Sequence, residues 1–143
     1  MTSSAPYLDF AVVQADDDLQ ELTVSAASDR FAGQVGLYAS PDELRDIADR
    51  LRPFLSGRGG RREFLLGQED FVGYGTVRLS LNRKEFADSV LVEVALRANP
   101  SEPHAPAESC VLRFPASVAE LERFEADLRR VAQRLGSRAV IGS

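Results

Sequence analysis

The sequence predicts an α+β fold, an antiparallel or mixed sheet of about six to seven strands with two helices packed on it, in the order β-β-β-α-β-β-β-β-α. Three observations predict it. Apolar residues alternate with period two in several separate stretches; two stretches open on helix-start signals and continue with apolar residues three and four apart; and the strand-like runs are joined by short turns. Two helices are too few for the crossovers of a doubly wound parallel sheet, so a nucleotide-binding fold of that kind is excluded. No fixed-period repeat and no break in composition divides the 143 residues, and a single domain spanning residues 1–143 is expected.

The elements follow in order. Tyr7 to Val13 is a short apolar run that the acidic turn Asp16-Asp17-Asp18 closes. Leu22, Val24 and Ala26 then alternate with Glu21, Thr23 and Ser25, and Phe31, Gly33, Val35 and Leu37 share one face of the next run, so these two read as an antiparallel hairpin. Ser40-Pro41-Asp42-Glu43 carries a cap, a proline suited to the first helical position and an acid three residues after the cap, which is a capping box. Leu44, Ile47, Ala48, Leu51, Phe54 and Leu55 form the apolar stripe behind it, and Pro53 limits how far that helix runs undisturbed. Ser56 to Arg61, rich in glycine, reads as an exposed loop.

Four strands come next. They are Arg62 to Leu66, Gly75 to Asn82, Ser89 to Arg97, and Ser109 to Phe114, the last ending at Pro115. The turn Asn82 to Asp88 makes the second and third a hairpin, and the proline-rich stretch Asn99 to Glu108 is a loop. Ser117 with Glu120 opens the final helix, whose stripe of Leu121, Phe124, Leu128, Val131 and Leu135 runs up to Gly136.

Composition bounds the chemistry. With 44% hydrophobic residues the chain can build a core, which excludes disorder of the whole. A single cysteine, Cys110, excludes an internal disulfide and a cysteine-based zinc site, and a single histidine, His104, excludes a multi-histidine centre. Residues 1–30 show neither the basic segment nor the apolar run of a signal peptide, and no apolar stretch is long enough to span a bilayer, so a cytoplasmic protein without membrane contact is expected.

The candidate chemical groups read as structural. His104 lies among prolines in a loop without a second base or a nucleophile motif, and Cys110 shares its strand face with Leu112 and Phe114. The acidic groups Asp16 to Asp18, Asp42 with Glu43 and Asp46, Glu69-Asp70, and Glu120, Glu122, Glu125 and Asp127 read as solvated faces and helix starts. Arg58-Gly-Gly-Arg-Arg62, even with Arg78 and Arg97, lacks the aromatic platform of a nucleic-acid site, and the chain is net acidic at −5. Gly73-Tyr74-Gly75 precedes a strand and not a helix, so it is a turn and not a phosphate loop. No catalytic, metal-binding or cofactor-binding residue is therefore assigned, and no nucleic-acid partner is expected. Surface recognition remains. Glu21, Thr23, Ser25, Arg78, Ser80, Asn82, Glu93 and Arg97 would form a polar outer sheet face, with Leu91 and Ala95 on it covered by the N-terminal strand or by another subunit.

One arrangement is familiar. Phe31-Ala32-Gly33 leads into the helix Glu43-Leu44 to Leu51, and Val111-Leu-Arg-Phe114 is followed by the helix Ser117 to Leu135. This order resembles the WapI-like immunity family of small bacterial proteins. The resemblance implies a non-catalytic cytoplasmic binder that neutralises the C-terminal domain of a polymorphic toxin by occlusion, with no catalytic residue to carry over and no individual interface residue specified. An acidic chain suits a basic partner. Two other readings stay open at this point: an acidic secretion-chaperone-like homodimer, and a small-molecule-binding protein.

Overall fold

A computed structural model describes residues 6–16, 18–68, 73–102, 104–132 and 136–142. The strands are β1 (Tyr7–Ala15), β2 (Gln20–Ala27), β3 (Ala32–Ala39), β4 (Gly60–Gly67), β5 (Gly75–Arg83), β6 (Ser89–Ala98), β7 (Glu108–Ser117) and β8 (Arg138–Gly142). The helices are α1 (Pro41–Ser56) between β3 and β4, and α2 (Val118–Val131) between β7 and β8. The order read from the sequence holds as far as α2, and an eighth strand follows it. The expected single sheet is two. β3-β2-β1-β8 form one four-stranded antiparallel sheet and β4-β5-β6-β7 the other.

Several boundaries move for local reasons. β1 continues past Val13 because a register shift between Val12 and Gln14 keeps it paired with β2 as far as Ala15 and Gln20. Gly60 and Arg61 belong to β4, paired with Arg83 and Asn82, so the glycine-rich loop is shorter than expected. Pro53 sits inside α1, which runs on to Ser56. β7 passes through Pro115 to Ser117, and proline is tolerated there because β7 is an edge strand. Ser117 and Glu120 make the complete capping box, whereas at Ser40 the serine half forms, its Oγ accepting from the Glu43 N–H at 3.2 Å. Leu135 lies outside the described residues.

The apolar faces of both sheets and both helices share one core. Phe10 from β1 meets Phe124 from α2 edge to face, with ring centroids 5.5 Å apart, and both rings are fully buried. Leu44, Leu51 and Phe54 from α1 and Leu79, Leu81, Val92 and Leu112 from the second sheet complete it. Charged groups tie the helices along their outer seam. Arg129 donates to the Glu125 carboxylate and to Asp49 on α1, and Arg52 of α1 lies 3.0 Å from the same Glu125 oxygen. Those carboxylates hold the Arg129 guanidinium above its ordinary pKa, the hydrogen bond it donates to Glu125 contributing most. Glu125, expected on a solvated face, is instead buried beneath these two arginines. Two polar side chains finish the helix ends: Gln20 Nε2 donates to the Val131 carbonyl at 3.0 Å, and Arg83 donates to the carbonyls of Phe54 and Leu55.

The two sheets meet where β3, the edge of the first, passes over the end of the second. A Cβ built on Gly33 would lie 3.0 Å from Leu96 Cδ1, and one on Gly75 would lie 3.1 Å from Val35 Cβ and 2.2 Å from the Arg97 carbonyl oxygen. Farther along, the Tyr38 and Tyr74 rings meet tilted by 50° at a centroid distance of 4.8 Å, and their hydroxyls are 3.2 Å apart. Gly75→Ala should destabilise the fold by roughly 3 kcal/mol, because backbone and not a mobile side chain stands in the way; denaturant titration at equilibrium measures it.

The tyrosine contact has a pH signature. The hydrogen bond with Tyr74, aided by burial and by the charge of Glu21, pushes the Tyr38 hydroxyl up to about 12 from 10.0. A raised folded-state value favours the protonated phenol, so its stabilising contribution is complete below pH 10.0 and is lost as pH rises through about 12. Tyrosinate absorbance should show a last ionisation near 12 that Tyr74→Phe brings down toward 10.0. An unchanged titration in that variant would refute the coupling.

Candidate partner-binding surface

The period of a strand sends alternate residues to opposite faces, and the helices cover only the inner ones. The polar residues expected on one outer face are therefore divided between two. Glu21, Thr23 and Ser25 lie on the first sheet, half-buried, and Arg78, Asn82, Glu93 and Arg97 lie on the second. Ser80 is a correction. Although it points outward it is buried, at 3% exposure, because it pairs with Glu93 on one side and Glu63 on the other, whose longer side chains stand over it.

The outer face of the second sheet carries apolar groups that no helix meets. Leu65 on β4, Leu91 on β6 and Val111 on β7 are 54%, 48% and 46% exposed. The strand register places Leu65, Arg78, Ala95 and Val111 in one row across the sheet. The next row holds Glu63, Ser80, Glu93 and Arg113, in which Arg113 donates to Glu93 at 2.7 Å. Arg78 Nε of the first row lies 3.2 Å from Glu63. The sequence-based expectation that the N-terminal strand covers Leu91 is overturned, since β1 pairs with β2 and β8 in the other sheet.

Two concavities border this face. One, of about 670 Å³, is lined by Gly60, Arg61, Asn82, Arg83, Lys84, Ala87, Ser89 and Leu91. At its rim the β5–β6 turn holds Phe86 at φ 57°, a conformation unfavourable for a bulky residue, with the ring 68% exposed and its N–H donating to the Arg58 carbonyl at 3.3 Å. The other, of about 290 Å³, runs between α1 and β4 and joins Asp42, Glu43 and Asp46 to Ile47, Phe64 and Leu65. Arg50 lines this groove too, and Asp42 and Asp46 pair with Arg45 and Arg50, so Leu65 belongs both to the open face and to a groove of mixed charge.

The residues weighed for chemistry lie apart. His104 is exposed in the loop before β7, and Cys110 is half-buried against the core. Asp16 and Asp18 are exposed beside the β1–β2 turn, Asp17, Glu69 and Asp70 lie outside the described residues, and Glu120 is used in the cap. Asp127 pairs with Arg130. Among the described residues no three His, Cys, Asp or Glu side chains gather to hold a metal ion. The arginines near the glycine loop are engaged locally: Arg61 with Glu63, Arg58 with Glu85, and Arg62 over the Phe54 ring. Gly73-Tyr74-Gly75 forms the turn into β5. On the first sheet's outer face Arg138 clasps the buried Asp9 at the edge of a shallow concavity of about 440 Å³; that pairing holds the guanidinium above its ordinary pKa.

Among the described residues, no helix is long and apolar enough to cross a membrane. No family model matches the chain, and no curated protein or solved structure matches it.

Leu65 and Leu91 are surface groups and not supports of the fold. Leu65→Asp and Leu91→Asp should each change unfolding free energy by about 0.5 kcal/mol or less, whereas Leu79→Ala, on the buried face of β5, should cost about 3 kcal/mol. Parallel denaturant titrations decide it.

Proposed function

We propose that the chain is a non-catalytic protein-binding module, an immunity protein that occludes a cognate toxin domain, and that it binds through the outer face of the second sheet. The observation that carries the binding reading is that Leu65, Leu91 and Val111 stand exposed on one sheet face that no helix covers, Leu65 and Val111 on one side of the charged row Glu63, Glu93 and Arg113 and Leu91 on the other. Partner-binding surfaces combine apolar side chains with charged groups in this way. The immunity role rests on the arrangement of Phe31-Ala32-Gly33, α1, Val111 to Phe114 and α2 that resembles the WapI-like family. A net charge of −5 and the acidic lip Asp42, Glu43 and Asp46 beside Leu65 favour a basic partner.

The test is a titration of the purified chain against a toxin C-terminal domain taken from a gene neighbouring its own. A stoichiometric complex is expected, with toxicity neutralised on co-expression. Leu65→Asp and Leu91→Asp should each weaken binding about tenfold or more, and Asp42→Asn with Asp46→Asn should slow association and flatten its dependence on salt. A complex indifferent to both leucine substitutions would remove this face from the account, and a failure to neutralise would remove the immunity role.

A further inference from the structure

The second sheet has two edge strands, and the chain treats them differently. Strand pairing fixes which backbone groups point outward. The Val118 N–H donates to the Asp88 carbonyl at 2.9 Å, one step beyond the Ser89–Ser117 pair, so the even-numbered residues of β7 turn their N–H and C=O groups toward β6. Odd-numbered residues turn theirs away. Pro115, which has no N–H to give, falls on the outward set. Ser117 also falls there, and its N–H is taken by the Glu120 carboxylate. Ser109, Val111 and Arg113 remain, all exposed, with no backbone partner on that side among the described residues.

The opposite edge is protected. On β4 the same alternation sends the odd residues outward, and there Arg50 from α1 donates to the Glu63 carbonyl at 3.3 Å while Arg62 donates to the Arg61 carbonyl at 2.9 Å. In the first sheet β3 lies against the second sheet, and β8 is only 5 residues long. β7, with 10 residues, is the long edge left open among the described strands.

We infer that β7 pairs antiparallel with β7 of a second copy of this chain, about a two-fold axis at Val111, to give one continuous eight-stranded sheet. The residues choose both the occupant and the register. Centred on Val111, Ser109 faces Arg113 of the other copy, Val111 faces Val111, and every free N–H meets a carbonyl. Shifting the centre to Leu112 sets Ser109 against Pro115, which has no N–H, and leaves the Ser109 carbonyl without a donor. Shifting it to Arg113 sets the two guanidinium groups directly opposite, which is repulsive. In the Val111 register each Arg113 keeps its bond to Glu93 and meets only a serine, and the outer row becomes Ala95, Val111, Val111, Ala95 across the axis. A second copy brings the same short side chains, Ser109 and Val111, to both sides of the axis while each Arg113 stays on its own Glu93, and this self-match is the ground for the occupant.

Sedimentation equilibrium of the full chain from micromolar to sub-millimolar concentration tests the inference. A dimer is expected. Val111→Pro removes an N–H that the β6 ladder does not use, and it should raise the dimer dissociation constant about tenfold to a hundredfold while leaving the circular dichroism unchanged. Val111→Lys, which sets two ammonium groups across the axis, should do the same and serves if the proline variant unfolds. A monomer at all concentrations overturns the inference, as does a dimer that neither substitution weakens. Amide protection at Ser109, Val111 and Arg113 that appears only on adding another polypeptide would also overturn it and assign the edge to a partner's strand. None of these outcomes depends on Leu65 or Leu91, so the pairing can fail while the toxin-binding face stands.

Discussion

The close passage of β3 over the end of the second sheet is the contact on which the architecture depends. β3 must pair with β2 along its length and also rest on β5, β6 and β7. A strand can approach another sheet this closely only where side chains are missing, and Gly33 and Gly75 supply the gaps. Once the sheets are joined at that end they diverge toward the other, and α1 and α2 fill the opening with Leu44, Leu51, Phe54, Leu121, Phe124 and Leu128. The tyrosine pair closes the junction from outside.

This arrangement decides which surfaces are spare. Among the described residues the apolar inner faces of both sheets and both helices are consumed by the shared core. The outer face of the second sheet is left with polar pairs that satisfy one another and with leucine and valine side chains that have nothing to pack on. Phe86 adds an aromatic ring at one corner, and α1 adds carboxylates at another. Three large apolar side chains exposed on one uncovered sheet face, interleaved with charged pairs, are the physical ground for the proposal that this face meets a partner.

The order of elements was legible because each carries a local signal. Alternation in Gly75 to Asn82, the caps at Ser40 and Ser117, and the spacing from Leu44 to Leu55 all act over a few residues. The division into two sheets was not, because alternation says that a strand has a buried face and not which sheet buries it. A signal did exist at Gly33 and Gly75: a glycine inside a strand marks a close approach. β8 is not legible, although Ala139-Val140-Ile141 stands between Gly136 and Gly142, since three apolar residues are too few to show an alternation. Glu125 was misread for a related reason. Its place in the sequence pattern is that of a solvated acid, and only the approach of α1 brings Arg52 and Asp49 around it and Arg129. For the surface, Leu91 was legible as an outward leucine, while Leu65 needed the register of β4 against β5 to place it on the same face.

Hydroxyl-radical footprinting of the chain, free and saturated with the toxin domain, tests the central claim most directly because it reads side-chain exposure at every large apolar residue at once. Leu65 and Leu91 should lose most of their reactivity in the complex, while Val13, Leu19 and Phe31, exposed at the ends of the first sheet's strands, should keep theirs. Protection of Val13, Leu19 and Phe31 with Leu65 and Leu91 still reactive would place the partner on the other side of the molecule and contradict the account.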